Sequence, residues 1–333
     1  MQLREALTFD DILLVPQYSE LESIDREIHG ETVVGRNILS VPIVSAAMTT
    51  VTEERMIHAM MKLGGAGVHH RYNVPFDKLA RISTFSPIAV SPSMGKSFLR
   101  YLVEEYHGNK YSTIAIDVAH GHRREVLGFA EYAVKLGIEV WSGNIATRAA
   151  ARAYLDIGVN VLKVGIGPGS ACSTRVVSGC GYPQASAILE IKQAYPSATI
   201  ISDGGIKSSG DIVKALALGA DAVIIGGLLA GTAEAPGEHY SDMYGNDWKT
   251  YSGMASREVL EAAGKTVRVE GVSGRVPYVG PVKGVVDELM AGVKLGMAYV
   301  GARNIKELQQ KAHFVKITQA GQVEGSPRVF PGQ

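Results

Sequence analysis

Eight short runs of apolar, mostly β-branched residues are spaced along the chain, and each is followed by a segment with helical periodicity. The runs are Val41–Ser45, Ala66–His69, Ile88–Val90, Ser112–Ile116, Glu139–Trp141, Val161–Val164, Thr199–Ile201 and Ala222–Ile225. Buried parallel strands are typically continuous apolar runs, and alternation of strands with helices indicates a parallel sheet. Eight such units predict an α/β fold, the (β/α)₈ barrel, with a doubly wound open sheet as the alternative.

Helices are predicted after these runs, and the last unit differs from the others. The helical segments are Thr52–Leu63, Phe76–Ile82, Lys96–Tyr106, Arg123–Leu136, Thr147–Ile157, Gln184–Gln193, Ser209–Leu218 and a stretch from Leu228 onward. The sequence over 241–279 is polar and poorly periodic, and we interpret it as an active-site excursion because long loops in compact domains are usually functional. Helix Lys283–Leu295 and the segment Asn304–Lys311 follow it. The length of 333 residues allows one large domain or two ordinary ones, and we predict a single barrel domain over 1–333.

The charge balance excludes several partner classes. Lys plus Arg equals Asp plus Glu, at 33 each, which argues against nucleic acid or an anionic membrane as partner but leaves a local phosphate pocket open. The charged start, Met1–Glu5, predicts no signal peptide, and the longest apolar stretch, Ala222–Gly231, is too short to span a bilayer. With two cysteines and no disulfide framework, we expect a cytoplasmic protein.

Residues capable of chemistry follow the predicted strands. If the fold is a barrel, the active site lies at the carboxyl ends of the strands. The residues there are Ala46–Met48, His69–His70, Asp117, Asn144, Gly165–Cys172, Asp203–Gly205 and Gly226–Gly227. Glycine is abundant, at 38 residues, which suits loops that approach a ligand closely.

The loop Gly165–Arg175 is the most informative segment. Three glycines alternate directly after a strand and lead to Cys172, which lies among polar residues rather than in an apolar run. A free cysteine is often only a small buried hydrophobe, but this setting favours a nucleophile. Arg175 and a nearby phosphate site could favour the thiolate and order the loop. Cys180, eight residues further on, is interpreted as structural.

Two glycine pairs indicate a phosphate site. Gly204–Gly205 and Gly226–Gly227 end the seventh and eighth predicted strands, where barrels usually bind phosphate through backbone N–H groups. Asp203 would then lie close enough to accept hydrogen bonds from a ribose diol. Plain turn glycines are the alternative, and each pair alone is weak support.

Four segments together resemble the IMP dehydrogenase/GMP reductase family. They are Leu7–Pro16, the Cys172 loop, Ser202–Gly205 and Leu229–Gly237. The resemblance covers essentially the whole chain, and the motifs in this order are very specific. It implies a (β/α)₈ barrel that acts on a purine nucleotide, GMP or IMP, with NADPH or NAD as cofactor, usually as a homotetramer.

The resemblance also implies roles for individual residues. Cys172 would attack the purine carbon between the two ring nitrogens and form a covalent thioimidate. Thr174 would assist proton transfer together with Glu270. Glu270–Gly271 matches a Glu-Gly that both the dehydrogenases and the reductases of the family have after the flap. The residues implied for the nucleotide are Ser170, Asn144, Asp203, Gly204, Gly205, Gly226, Gly227, Tyr251, Gly253 and Met254. Those implied for the dinucleotide are His70, Asp117, Val118, Ala119 and Gly165.

A monovalent cation, K⁺, is implied as well. The carbonyls of Gly167, Gly169 and Cys172 would bind it, as stacked carbonyls can. Glu324 and Gly325 match the family segment that completes this cation site from a neighbouring subunit.

The two activities of the family differ in what resolves the covalent intermediate. In the dehydrogenase, water hydrolyses the thioimidate, which requires a base, and the family uses an Arg-Tyr pair on a flap after the Tyr-x-Gly-Met motif. Here the flap candidate, Ala255–Val269, has no tyrosine, so neither Arg257 nor Arg268 precedes one. The CBS domain that most dehydrogenases insert between the second and third units is also absent, since only Arg71–Thr84 lies there. Both features favour GMP reductase.

Other segments are closer to bacterial dehydrogenases. These are Phe9–Asp11, Gly231–Gly237, Gly274–Tyr278 and Val323–Gly325. In addition, Gln17–Glu20 stands where the reductase has basic residues, and Thr49 stands where the family usually has an aspartate. IMP dehydrogenase without a CBS domain is therefore the alternative. A nucleotide-binding homologue without turnover is the third, but such a protein would not need Cys172, Thr174 and Glu270 together.

Overall fold

A computed structural model of the chain describes residues 3–106, 112–265 and 269–325. In chain order, the strands found in these residues are β1 (Ile12–Leu14), β2 (Thr32–Val34), β3 (Asn37–Leu39), β4 (Ile43–Ser45), β5 (Ala66–Gly67), β6 (Ile88–Val90), β7 (Thr113–Asp117), β8 (Glu139–Ile145), β9 (Val161–Val164), β10 (Thr199–Asp203), β11 (Ala222–Ile225), β12 (His239–Ser241), β13 (Asp247–Ser252), β14 (Ser273–Pro277) and β15 (Phe314–Lys316).

The helices in the same residues, again in chain order, are α1 (Ile24–Glu27), α2 (Glu54–Lys62), α3 (Phe76–Ser83), α4 (Gly95–Tyr106), α5 (Arg124–Lys135), α6 (Arg148–Asp156), α7 (Thr174–Ser178), α8 (Gln184–Ala194), α9 (Ser209–Ala217), α10 (Gly227–Ala230), α11 (Arg257–Ala262), α12 (Val282–Val300), α13 (Ile305–Lys311) and α14 (Gln319–Glu324). Two 3₁₀ turns, Phe9–Asp11 and Pro92–Met94, complete the regular structure described.

Eight parallel strands form the barrel, in the order β5-β4-β11-β10-β9-β8-β7-β6. The two ends of this sheet meet at His69, which follows β5. The amide of His69 donates to the carbonyl of Pro87 over 3.0 Å, and the amide of Ala89 donates to the carbonyl of His69 over 2.7 Å. The barrel predicted from the sequence is thus confirmed, and the open doubly wound sheet is not formed.

Burial explains why the eight apolar runs form these strands. All residues of β4, β6, β9 and β11 are buried, as strands covered on both faces require. The surrounding helices bury one face; on α2 this face is Met56, Ile57 and Met60. Side-chain caps fix several helix starts, as where Thr147 accepts a hydrogen bond from the amide of Ala150 at α6.

Buried side chains fill the barrel interior at the amino-terminal ends of the strands. Trp141 is fully buried there, among alanines that leave room for its ring, such as Ala89 and Ala115. The hairpin β2–β3 contributes Val34 and Leu39 to the same cluster. Large side chains therefore fill the amino-terminal end, and the loops at the carboxyl end are left to form a site.

The excursion over 241–279 contains structure that the sequence did not predict. β12, β13 and β14 form an antiparallel sheet, with Lys249 opposite both His239 and Val276. Many of its side chains face solvent, so the segment lacks the apolar periodicity by which strands are usually predicted. The short α11 follows β13, and the flap candidate includes residues 266–268, with Arg268, which lie outside the described part of the chain.

The helix of the eighth unit also differs from its prediction. After β11 the chain forms only the four-residue α10, and the long α12 packs against α9 and α2 once the excursion has ended. α12 extends to Val300, beyond the predicted end at Leu295. Within the described ranges, no helix is both long enough and apolar enough to span a membrane.

Candidate active site

A cavity of about 410 Å³ lies at the carboxyl ends of the barrel strands. Its walls come from the loops that follow β4, β5, β7, β8, β9 and β10, and from the excursion after β13. Cys172, Thr174 and Glu270, the three residues predicted to carry the chemistry, all line it. The structure therefore brings together side chains that lie far apart in the sequence.

Cys172, Thr174 and Glu270 form a continuous hydrogen-bond chain. The thiol of Cys172 donates to Oγ1 of Thr174 over 3.1 Å, and the Thr174 hydroxyl donates to Oε2 of Glu270 over 3.0 Å. Thr174 is buried at the start of α7, whereas Cys172 is exposed to the cavity and solvent. This order places a nucleophile at one end and a carboxylate that can accept a proton at the other.

Backbone pairing holds this chain of hydrogen bonds in place. Cys172 and Gly271 form an antiparallel bridge, and the amide of Ser173 donates to the carbonyl of Glu270 over 2.9 Å. The amide of Val272 donates to the carbonyl of Ala171 over 3.0 Å. Gly253 packs so closely on Ala171 that a Cβ there would lie 2.6 Å from the Ala171 carbonyl oxygen. The excursion is thus fastened along the Cys172 loop.

Arg175 orders the glycine-rich loop from within. Its Nη2 donates to the carbonyl of Tyr182 over 2.6 Å, and its Nε donates to the carbonyl of Ile166 over 3.4 Å. The Arg175 stem lies against Gly167, whose φ of +82° is a left-handed conformation that glycine adopts readily. These contacts support the loop-ordering role expected for Arg175.

Lys163 is a buried lysine that the sequence analysis did not identify. It contacts Asp117, Asn144 and Asp203, and these four side chains form the polar floor of the cavity. The Lys163 side chain is 2% exposed, and its Nζ donates to Oδ1 of Asp117 and lies 3.4 Å from Oδ2 of Asp203. Its Nζ also lies 3.3 Å from Oδ1 of Asn144. A lysine in the middle of the apolar run Val161–Val164 was the available signal, because a charge in a buried strand needs partners.

The two carboxylates beside Lys163 differ in their electrostatics. Burial disfavours ionisation of Asp117, but the Lys163 ammonium and the Arg71 guanidinium overcome this and hold its pKa below the ordinary value. Burial raises the pKa of Asp203, and the neighbouring Asp117 carboxylate adds to the rise against the attraction of Lys163. Asp203 also accepts a hydrogen bond of 3.0 Å from Nδ2 of Asn144. Asp117 is therefore the more firmly ionised of the pair.

The residues predicted for the nucleotide surround the Cys172 loop. The hydroxyls of Ser170 and Tyr251 lie 3.2 Å apart, and Gly226 and Gly227 run directly beside them. Burial raises the pKa of Tyr251, so its phenol stays protonated near neutral pH and can donate to a ligand. The other predicted members, Gly204, Gly205, Gly253 and Met254, lie against this loop or in the cavity wall.

The residues predicted for the dinucleotide lie in two cavities. Asp117, Val118, Ala119 and Gly165 line the cavity that contains Cys172. His70 instead lines a neighbouring cavity of about 380 Å³, and Tyr72 borders both. The structure thus separates His70 from the other four.

Arg71 is a further cavity residue that the sequence analysis missed. Its Nη1 lies 3.7 Å from Oδ2 of Asp117. Nε is buried and has no hydrogen-bond partner among the described residues, and Nη1, also buried, has the Asp117 ion pair but no hydrogen bond. Orphaned donors of this kind fit a ligand that brings acceptors, as the phosphates and carboxamide of a nicotinamide dinucleotide do.

The residues predicted for K⁺ are only partly brought together. Gly167, Gly169 and Cys172 belong to one loop, and the carbonyl of Gly169 accepts a hydrogen bond of 3.0 Å from the Cys172 amide. Glu324 and Gly325 end α14, which contacts the turn Phe9–Asp11, and they do not line the cavity. In the described ranges no group of three His, Cys, Asp or Glu side chains could hold a metal ion, so a cation here would depend on carbonyl oxygens.

Comparisons with known proteins agree with this geometry. A profile described as "IMP dehydrogenase / GMP reductase domain" matches residues 6–328. An inosine-5'-monophosphate dehydrogenase of Aquifex aeolicus is 33% identical over 96% of this chain and 94% of its own length. An inosine-5'-monophosphate dehydrogenase of Cryptosporidium parvum is 34% identical over 95% of this chain and 93% of its own length. One from Bacillus subtilis is 43% identical over 64% of this chain and 46% of its own length.

The alignment with the Aquifex aeolicus protein is longer than this chain, at 470 positions against 333 residues. That relative therefore carries residues, inside the aligned span, that this chain lacks. Because the family profile matches nearly the whole sequence and the relatives align over almost their full lengths, the chain belongs to the IMP dehydrogenase/GMP reductase family of NAD(P)-dependent oxidoreductases.

Proposed function

We propose that the protein is a GMP reductase that works through a covalent thioimidate on Cys172. The reaction would convert GMP, NADPH and a proton to IMP, ammonia and NADP⁺. The observation that carries this proposal is the hydrogen-bond chain from the Cys172 thiol through Thr174 to Glu270. It joins a nucleophile to a proton carrier at the cavity where the nucleotide would bind.

In this reaction the Cys172 sulfur forms a bond to the purine carbon between the two ring nitrogens. The bond from that carbon to the exocyclic amine breaks, and ammonia leaves with a proton delivered along Thr174 and Glu270. NADPH, when bound, would supply the hydride that the same carbon takes up, and the Cys172 sulfur would then leave that carbon as the thiolate. Because the thiol proton has left with ammonia, the Cys172 thiolate takes up a proton from solvent through Glu270 and Thr174, which closes the cycle.

The phosphate would be held by Ser170, Tyr251, Gly226 and Gly227. The Asp203 carboxylate would accept hydrogen bonds from the ribose hydroxyls. Asp117 and the orphaned donors of Arg71 would face the dinucleotide. Asn144 and Lys163 support both carboxylates, so the polar floor is in place before a ligand arrives. Preorganisation of this kind is what positions reacting atoms.

The direction of reaction rests on the flap. Its helix α11 presents Leu260 to the cavity, and Arg257 on the same helix is exposed. The segment Ala255–Val269 contains no tyrosine, so it offers no Arg-Tyr pair to activate water. An intermediate protected from hydrolysis is what a reductase requires, because water would divert it.

IMP dehydrogenase is the second candidate, and two observations favour it. The curated relatives reported above are named inosine-5'-monophosphate dehydrogenases. An adjacent Arg-Tyr pair, Arg71–Tyr72, does line the cavity, although on the loop after β5 rather than on the flap. In that reaction IMP, NAD⁺ and water would give XMP, NADH and a proton. The Arg71–Tyr72 pair is the first place to seek the group that activates water.

Domain organisation and assembly are part of the proposal. We infer a single barrel domain without an inserted CBS domain, as the residues missing relative to the Aquifex aeolicus protein support. We also infer a homotetramer in which Glu324 and Gly325 complete a K⁺ site built by the neighbour's Cys172 loop. Light scattering tests the assembly, and a monomer at working concentration would contradict the shared site. Removing residues 324–333 should abolish activation by K⁺ over Na⁺.

The cofactor absorbance distinguishes the candidates. The protein is mixed with GMP and NADPH, and separately with IMP and NAD⁺. Steady oxidation of NADPH that depends on GMP supports the reductase. Multiple turnovers of IMP without GMP-dependent oxidation would support the dehydrogenase, and nucleotide binding without turnover in either mixture would support a silent homologue.

A further inference from the structure

The flap helix α11 touches the barrel through the loop that follows β5. The Asn73 side chain donates from Nδ2 to the carbonyl of Ala262, the last residue of α11, over 2.9 Å. Three residues further on, the Lys265 ammonium lies 4.3 Å from the centre of the Tyr72 ring. The Arg71 guanidinium lies 4.9 Å from the same ring. A cation of the barrel and a cation of the flap therefore both approach the Tyr72 ring.

Beneath α11 the packing is incomplete. The second cavity, of about 380 Å³, is lined by Glu258, Val259 and Ala262 of the helix and by Thr49 and His70 of the barrel. The cavity separates this part of the helix from the barrel, so direct contacts between the two are confined to the residues around it. Val259 and Leu260 are buried and hold the middle of the helix, whereas the Asn73 and Tyr72 contacts hold its carboxyl end.

The backbone at Asn73 is suited to this contact. Asn73 has a φ of +55°, and among the described residues it is the only non-glycine residue with a positive φ. Asparagine, aspartate and glycine tolerate this left-handed conformation better than other residues do. The loop is thus turned so that the side-chain amide of Asn73 contacts the flap helix. Because glycine and aspartate tolerate the same backbone conformation, each can replace Asn73 without a change of the loop.

We propose that Asn73 and Tyr72 are positioning residues that fasten α11 over the catalytic cavity. Leu260, on the same helix, lines that cavity, so the contacts at Ala262 and Lys265 set where the flap covers the bound nucleotide. The proposal rests on the proposed function only in taking the cavity of Cys172 as catalytic. The fastening itself is a property of the unliganded protein.

Hydrogen exchange of the α11 amides in the full chain tests the fastening directly. Asn73→Gly keeps the left-handed backbone and removes the donor, and Asn73→Asp keeps the shape but points a carboxylate at the Ala262 carbonyl. Both should accelerate exchange over residues 257–265 by about three- to tenfold, the factor set by one net hydrogen bond. Amides of α5, on the barrel, serve as the internal control and should not change.

Asn73→Ala separates the fastening from simple loop folding. If Asn73 served only the loop backbone, Asn73→Gly would match the parent and only Asn73→Ala would differ, which would overturn the proposal. Unchanged exchange in all three variants would overturn it as well. Tyr72→Leu, which removes the ring that both cations approach, should reproduce the faster exchange of α11.

Kinetics provide the second readout. With α11 loosened, kcat for the nucleotide reaction should fall severalfold, while the nucleotide KM should stay within about twofold because the residues proposed to bind that ligand lie outside α11. A changed KM with an unchanged kcat would contradict the positioning role. If no nucleotide and cofactor pair gives turnover, the proposed function fails, whereas the exchange measurement still decides the fastening.

Discussion

Thr174 and Glu270, 96 residues apart in the chain, share a hydrogen bond of 3.0 Å beneath the Cys172 thiol. The pairing of Cys172 with Gly271 brings them together, because it aligns the glycine-rich loop of the barrel with the end of the flap excursion. In the proposed reaction, one segment thus supplies the nucleophile and the hydroxyl, and the other supplies the carboxylate. The proposed chemistry therefore requires the excursion to be docked.

Glu270→Gln should lower kcat of the GMP reaction by about 10²- to 10⁴-fold, the contribution typical of general acid–base catalysis. Glutamine can still accept the hydrogen bond from Thr174 but cannot take up its proton. Steady-state kinetics measure the effect, and nucleotide binding should be nearly unchanged. Glu261→Gln, at an exposed position of α11, is the matched control. Equal kcat in the two variants would remove Glu270 from the proton path.

Cys172→Ala should abolish turnover while leaving nucleotide affinity within about tenfold, because covalent chemistry and phosphate binding use different groups. Cys180→Ala is the natural control, since both cysteines are exposed and lie in the same part of the chain. It should keep activity near that of the parent. Turnover by the Cys172 variant would refute its assignment as nucleophile.

Lys163→Met should lower the free energy of unfolding by about 3–5 kcal/mol near neutral pH, because two largely buried carboxylates lose their cation. In the parent, the low pKa of Asp117 means that its ionised form contributes stability above about pH 4, which is lost as the pH falls. Without Lys163, burial raises the pKa of both carboxyls, so the variant gains stability on acidification.

The difference in Tm between the parent and Lys163→Met should therefore be largest at neutral pH and narrow toward about pH 4. Thermal denaturation across this pH range measures it. Lys207→Met, which removes an exposed ion pair with Asp10, should change Tm little at any pH. A Tm difference independent of pH would show that Lys163 acts through packing alone.

Glu139→Ala should destabilise the fold by about 3 kcal/mol without changing activity per folded molecule. The Glu139 carboxylate is fully buried at the start of β8, where it accepts hydrogen bonds from Trp141 Nε1 and the Arg36 amide, over 2.8 and 2.7 Å. Its loss leaves these donors unsatisfied far from the catalytic end. Urea denaturation measures the effect, and Glu131→Ala on the surface is the control; equal midpoints would contradict the account.

The eight strands could be predicted because each is buried on both faces and therefore reads as an apolar run. Cys172 could be singled out because a glycine-rich loop after a strand is unusual in sequence. The sheet of the excursion could not be predicted, because exposed residues such as Tyr240 lack a periodic apolar pattern. Its strands are defined by pairing with one another, as at Lys249 and Val276.

The polar floor shows another limit of sequence reasoning. Their places at strand ends indicate that Asp117, Asn144 and Asp203 are site residues, and the family resemblance implies a separate ligand contact for each. Their common partner, Lys163, lies inside the neighbouring strand β9 and looks in sequence like an irregularity in an apolar run. Which charges pair across a barrel depends on strand order and register, and a sequence does not state either.

The most direct test of the central claim is the amplitude of the NADH burst with IMP, measured as NADH formed per active site. Rapid mixing of the enzyme with IMP and NAD⁺ should give a burst near one NADH per active site, followed by a slow phase, because the flap lacks an Arg-Tyr pair to hydrolyse the thioimidate. GMP with NADPH should give steady turnover. Sustained conversion of IMP to XMP, with no GMP-dependent oxidation of NADPH, would contradict the account and identify a compact dehydrogenase.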